Sequence, residues 1–212
     1  MHTGLIIATL ATGLLGLYLL AGRKNIKQNA VKLLTGNLRQ PLSGQMPADE
    51  TWWALLDTPL QFELAMALAR KALPVWQKYS GSNELFYKNS SIGPSLAIKT
   101  TLLQASLDAL EEAVSIPFPR NNKNISTCYN DFVAPLVALQ DGNWVVSYPV
   151  KKIFLAVYNL VKAVAEEENI TVTKNLFCVS IHQSLDCLDL SKLYSAEEIM
   201  LFLQYYKLQP AT

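Results

Sequence analysis

Residues Gly4 to Ala21, GLIIATLATGLLGLYLLA, contain no charge and no proline, and this run constrains the chain more than any other feature. Eighteen residues in an α-helix, at 1.5 Å each, extend about 27 Å, close to the roughly 30 Å hydrocarbon core of a bilayer. Leu5, Ile6, Ile7, Leu10, Leu14, Leu15, Leu17, Leu19 and Leu20 give it an apolar surface all round. The expectation is a single-pass transmembrane anchor over residues 1–22. A cleaved signal peptide fits less well: Met1-His2-Thr3 is not a basic start, and a cut after Ala21 sets Leu19 where a small residue belongs. A buried core helix also fits less well, because the apolarity is uniform and Arg23-Lys24 follows at once.

The basic residues decide the expected orientation. Arg23, Lys24 and Lys27, with Lys32 beyond them, lie just after the span, and no comparable group precedes it. The positive-inside rule then places the C-terminal domain in the cytoplasm. Such a basic flank can meet anionic membrane lipid, although a plain stop-transfer flank explains it as well. Cys128, Cys178 and Cys187 are odd in number and form no C-x-x-C pair, which suits free thiols in a reducing compartment. The N-x-S/T patterns at Asn89, Asn124 and Asn169 would matter only in a glycosylating lumen. Within the span, Ala8, Thr12 and Gly16, and also Thr9 and Gly13, recur every fourth residue, a spacing that lets two membrane helices approach.

Three regions follow: the anchor at 1–22, a basic juxtamembrane segment and linker at 23–50, and a helical globular domain at 51–212. The linker's end, TGNLRQPLSGQMPADE, has Gly, Pro and polar residues without period. The chain is 50% hydrophobic and 17% charged, against about 25% charged in an average soluble protein, so the domain can bury a real core. Its formal net charge of +1 comes with no basic stripe beyond the juxtamembrane cluster, and no nucleic-acid partner is expected.

Helical periodicity dominates the domain. Thr58-Pro59-Leu60-Gln61 predicts a helix start with Thr58 as N-cap, Pro59 at the first position and Gln61 reaching back. Leu64, Leu68, Ala72, Val75 and Trp76 continue one face, and Pro74 either kinks this helix or ends it a turn early. Gly93-Pro94 is expected to open the next helix, with Leu96, Leu103, Leu107 and Leu110 inward and Pro117 and Pro119 as its stop. Arg120 to Thr127 reads as a polar loop, Asp131 to Leu139 as a short helix and Asp141-Gly142-Asn143 as a turn. Ser147 to Glu168 carries the cleanest 3.6-residue period, through Val150, Ile153, Phe154, Val157, Leu160, Val161 and Val164. Ile170 to Thr173 is β-branched and is expected to be extended. Lys174 to Leu188 is expected to be helical, with Phe177, Ile181, Leu185 and Leu188 inward. Ser195-Ala196-Glu197-Glu198 is a capping box that starts a last helix bearing Ile199, Phe202, Leu203 and Tyr206 on one side. The fold class is all-α: a transmembrane helix plus one helical bundle or orthogonal helical array.

Chemistry-bearing residues are few. Cys178, His182 and Asp186 stand at four-residue steps and share a helix face, a set that can ligate a metal or activate a thiolate. Against that, side chains in a row along one helix do not converge on one atom, and a structural zinc site needs a fourth ligand. The competing reading puts His182 and Asp186 on a polar face and Cys178 and Cys187 at the core edge. No motif for nucleotide, metal or acyl chemistry is present, so no cofactor and no catalytic residue is assigned. Trp52, Trp53, Trp76, Tyr79, Phe86 and Tyr87 can line a cofactor slot or a partner surface, though helical spacing favours the core. Trp52 and Trp53, being adjacent, cannot both point inward.

The stretch FELAMALARKALPVWQKYS, Phe62 to Ser80, resembles a segment of small bacterial all-helical families of uncharacterised function, some grouped with toxin-immunity proteins. The resemblance rests on a basic residue, a proline and an aromatic near a helix end, here Arg70, Pro74 and Trp76, and on a later helix, SYPVKKIFLAVYNLVKAV. It covers about a third of the domain and implies a helical protein without transferable site residues; the N-terminal apolar run departs from the pattern. The leading expectation is a membrane-anchored module that binds a protein partner in the cytoplasm, immunity-like or adaptor in role. The alternatives are a membrane-tethered helical enzyme or small-ligand binder, and a subunit of a membrane complex.

Overall fold

The computed structural model describes residues 52–88, 93–113, 122–165 and 169–207. The anchor, its basic flank and the linker lie outside these residues, as do Asn89, Pro117, Pro119, Glu166 to Glu168 and Pro210. The described residues form a 3₁₀ turn (Trp52–Leu55), then α1 (Thr58–Ser82), β1 (Phe86–Lys88), β2 (Ser95–Ala97), α2 (Leu102–Glu112), α3 (Lys123–Gln140), α4 (Tyr148–Ala165), α5 (Ile170–Ser191) and α6 (Ala196–Lys207). None of these helices is long and apolar enough to cross a membrane.

The regular period expected for α4 is what the fold uses. Val150, Ile153, Phe154, Val157, Leu160, Val161 and Val164 are all buried, together with Ala156 and Ala163. The small residues let α5 approach closely and antiparallel. Ser180 Oγ donates to the Ala156 carbonyl at 2.9 Å, and Asn159 Nδ2 donates to Gln183 Oε1 at 2.8 Å. Phe177, Ile181, Leu185 and Leu188 face this seam, as their spacing predicted. α1 runs parallel to α5 from Phe62, which packs on Phe177, to Lys71, which lies over Tyr194. α2 returns antiparallel to α1: Arg70 pairs with Asp108 and Glu111, and Trp76 Nε1 donates to the Thr100 carbonyl at 2.8 Å. α3 lies antiparallel on α4 through Tyr129 against Tyr158 and Phe132 against Phe154.

Several local expectations are corrected. The cap of α1 is Asp57, whose carboxylate accepts from Leu60 N at 2.9 Å; Thr58 is the first helical residue and Pro59 the second. Gln61 does not reach back to the cap: it is buried and donates to the Trp53 carbonyl at 2.8 Å. The helix passes Pro74 and runs to Ser82. Gly93-Pro94 does not open a helix. Leu96 sits instead on β2, paired with Tyr87, and Ile98 N donates to the Leu85 carbonyl at 2.7 Å, one step beyond the ladder. Proline disfavours helical backbone before it and donates no hydrogen bond, so the chain after it finds its partners in a strand.

Of the polar stretch expected as a loop, Lys123 to Thr127 is the start of α3. Asn122 accepts from Asn124 N at 2.8 Å and Ile125 N at 3.4 Å, and burial of Ile125 secures the added turns. Ile170 to Thr173 is the first turn of α5, not an extended segment. Asn169 caps it by accepting from Thr171 N at 2.8 Å, and Thr173 is buried, so packing outweighs β-branched preference there. The expected turn stands, with Gly142 at φ 74°. The capping box stands too: Ser195 N donates to Glu198 Oε2 at 2.8 Å, and Glu198 N donates to Ser195 Oγ at 3.2 Å.

Candidate functional site at the α3–α4 corner

α5 holds Cys178, His182 and Asp186 one turn apart, yet each side chain meets a different neighbour. Cys178, half-buried, receives Gln61 Nε2 at 3.8 Å. His182 packs edge-to-face on Trp53 with ring centroids 5.1 Å apart. Asp186 Oδ2 binds Lys152 Nζ of α4 at 2.5 Å. Among the described residues no group of three His, Cys, Asp or Glu side chains is placed to hold a metal ion.

The electrostatics follow from burial. Burial pushes the Cys178 thiol up, with Lys174 pulling only weakly the other way, so the sulfur is held as thiol. Burial also lowers the His182 pKa; Asp186 opposes this and Lys152 adds to it. Near neutral pH Cys178 is therefore a thiol and His182 a neutral imidazole, not an ion pair primed for nucleophilic attack. For Lys152, burial works against the ammonium, but hydrogen bonds to Asp186 and to Tyr148 outweigh it and the pKa rises. Cys187, fully buried, is pushed up to about 12. Lys152 and Asp186 pair across the seam between α4 and α5, while the buried Ser184 Oγ, Gln61 Oε1 and Trp53 Nε1 nearby have no hydrogen-bond partner among the described residues.

At one end of that seam the surface changes character. Tyr148, one turn before Lys152, is exposed, and Lys152 Nζ lies 4.9 Å from its ring centroid. Before Tyr148 comes Val145, 84% exposed. Trp144 N donates to the Ala138 carbonyl at 3.0 Å, which folds the Val145 loop back against the end of α3. There Val133 and Val137 are both exposed, one turn apart. Between the exposed Lys123 and Asp141 at its two ends, the outward residues of α3 are Asn124, Thr127, Asn130, Val133, Val137 and Gln140, and these carry no charge. The corner is fixed from beneath: the buried Trp144 indole packs on Phe154 at 5.0 Å and on Trp76 at 6.3 Å. Exposed valines with an aromatic edge over a buried aromatic cluster, bordered by the charged Asp141 and Lys152, have the composition of a protein interface.

None of Val133, Val137, Val145 or Tyr148 was singled out from the sequence as a site residue. A signal existed: Phe132 to Leu139 is apolar on every side of its helix, so a single buried face cannot take all of it. The aromatic cluster resolves toward the core at Trp53, Trp76 and Tyr87, which are buried, while Trp52 is half-buried and Phe86 exposed. Compared with protein-family models, curated proteins and solved structures, the chain matches none.

Proposed function

We propose that the chain is a membrane-tethered helical module that binds another protein in the cytoplasm, immunity-like or adaptor in role, with residues 1–22 as a single-pass anchor and 51–212 as the binding domain. The observation that carries this reading is the exposure of four large apolar side chains, Val133, Val137, Val145 and Tyr148, at the α3–α4 corner. Exposed apolar side chains gathered at one corner are unfavourable in water unless something covers them. The loop that carries Val145 is already packed through Trp144 on Phe154 and Trp76, so binding there orders little further chain. In the neighbouring seam Lys152 is paired with Asp186, and Cys178 is held as a thiol, which favours a binding role over a nucleophilic one.

The test compares the full chain and the full chain carrying Val137→Asp and Val145→Asp, both recovered from gently solubilised membranes, with a chain starting at Thr51 used as bait on the same solubilised extract. The full chain and the chain from Thr51 should retain one stoichiometric protein, and the corner variant should lose it by about tenfold or more. A partner retained equally by all three would remove the corner from the interface, and no partner with any of them would overturn the binding role. Alkaline extraction tests the anchor: the full chain should stay with the membrane and the chain from Thr51 should not.

A further inference from the structure

α6 is attached differently from the other helices. Among its described side chains Ile199 and Leu203 are the buried ones, while Leu201 is 48% and Tyr205 65% exposed. α5 by comparison buries Phe177, Ile181, Leu185 and Leu188 on one continuous face. Met200, Phe202 and Tyr206 are only partly buried against the core, and α1 adds a polar hold. Lys71 Nζ lies 3.7 Å from the Tyr194 ring centroid, just before α6, and 5.4 Å from that of Phe202 within it. Two turns earlier in α1, Glu63 acts on Tyr206, whose phenol is pushed up by burial and then by that carboxylate. α6 therefore lies antiparallel along the Glu63–Lys71 face of α1, with a cation seated against aromatic rings at one end. A cation against aromatic rings near the surface is a small hold for a whole helix.

The connection to α6 is short and strained. Lys192 joins α5 to the Leu193–Ser195 link at φ 53° and ψ 28°, and among the described residues it is the non-glycine residue with positive φ. Left-handed backbone is unfavourable for a side chain with a Cβ, and strained short hinges favour exchange of the element they carry. The Lys192 ammonium binds Asp189 Oδ1 at 2.9 Å, a surface pair that adds little to hold the bend.

We propose that α6 is an exchangeable helix, which opens at Lys192 and seats on the α1 face of a second copy of this chain to give a domain-swapped pair. The occupant is set by what the groove already holds: Ile199, Phe202 and Leu203 facing Lys71. A second copy supplies the same helix and the same groove, so the packing broken on opening re-forms between the copies, and the strain at both Lys192 residues is relieved. This reading does not depend on the α3–α4 corner.

The experiment uses the full chain in mild detergent, carrying either of two affinity tags. After concentration and incubation, mixed pairs should form slowly, because each must open first. Lys192→Gly, which removes the strain, should cut the mixed fraction at least about fivefold. In a second arm, a labelled peptide of residues 193–207 is added to the full chain carrying Ile199→Asp and Leu203→Asp, with its helix content checked by circular dichroism. The emptied groove should bind the peptide at least tenfold more tightly than the wild-type chain, and Lys71→Glu should weaken that binding. Absence of mixed pairs at any concentration, a mixed fraction unchanged by Lys192→Gly, or a folded double variant that ignores the peptide would each overturn the proposal. If the double variant does not fold, the Lys192→Gly comparison decides alone.

Discussion

His182 sits where burial opposes charge. Its folded pKa lies below the usual 6.5, from burial first, with Asp186 pulling up and Lys152 pushing down. Between the lower folded value and the unfolded one, the unfolded chain binds more protons. The stabilisation from the neutral ring is therefore complete above about pH 6.5 and is lost as pH falls through the folded pKa. Urea midpoints at pH 7.5 and pH 5 should differ in the wild type, and His182→Gln should narrow that gap; an identical gap would show that other groups set it. Asp186→Asn removes the direct partner of Lys152, whose pair has side-chain exposures of 18% and 31%, between the surface and buried cases. A loss of about 2 kcal/mol is expected from that variant, read from the same urea curves. Cys187 gives a simpler expectation. Buried and pushed up to about 12, its thiol should stay silent toward a disulfide reagent in the folded chain and react once urea unfolds it.

At the scale of elements, the caps carry more than their sequence context suggests. Asn122 and Asn169 each supply the side-chain oxygen that accepts from the first free N–H groups of α3 and α5. Asn122→Ala and Asn169→Ala should each destabilise by about 1 kcal/mol, seen as a lower thermal midpoint, whereas Asn130→Ala, an exposed residue inside α3, should change little. The same two asparagines mark where the sequence misleads. α4 and most of α5 are legible because their buried residues follow one period against partners on both sides. The start of α3 is not, because its first turns hold Lys, Asn, Ser and Thr, and only Ile125, buried by packing distant in sequence, commits them to helix. The β1–β2 pair is illegible for a related reason: three residues a side carry no alternation long enough to detect. The site divides in the same way. That Cys178, His182 and Asp186 share a helix face follows from spacing alone. That Trp53, Gln61 and Lys152 draw them apart depends on how α1, α4 and α5 pack, which spacing does not encode.

Across the whole molecule one aromatic cluster links core to surface. Phe154 touches Phe132 at 5.0 Å, Trp144 at 5.0 Å and Trp76 at 6.1 Å between ring centroids, and so joins α1, α3, α4 and the loop that carries Val145. Phe154→Ala should cost about 3–5 kcal/mol, a large part of the roughly 5–15 kcal/mol that holds a domain folded. It should also loosen Trp144, and with it the position of Val145, so partner binding would fall together with stability. Val145→Asp acts differently. At 84% exposure the side chain gives the fold almost nothing, and the change in unfolding free energy should stay within about 0.5 kcal/mol. If the corner is the interface, Val145→Asp lowers partner recovery at unchanged stability, while Phe154→Ala lowers both, and the stability loss measured by urea should account for the binding it removes. Equal recovery by Val145→Asp and wild type, at equal stability, would leave the corner as surface with no partner and move the search for the interface to another face of the bundle.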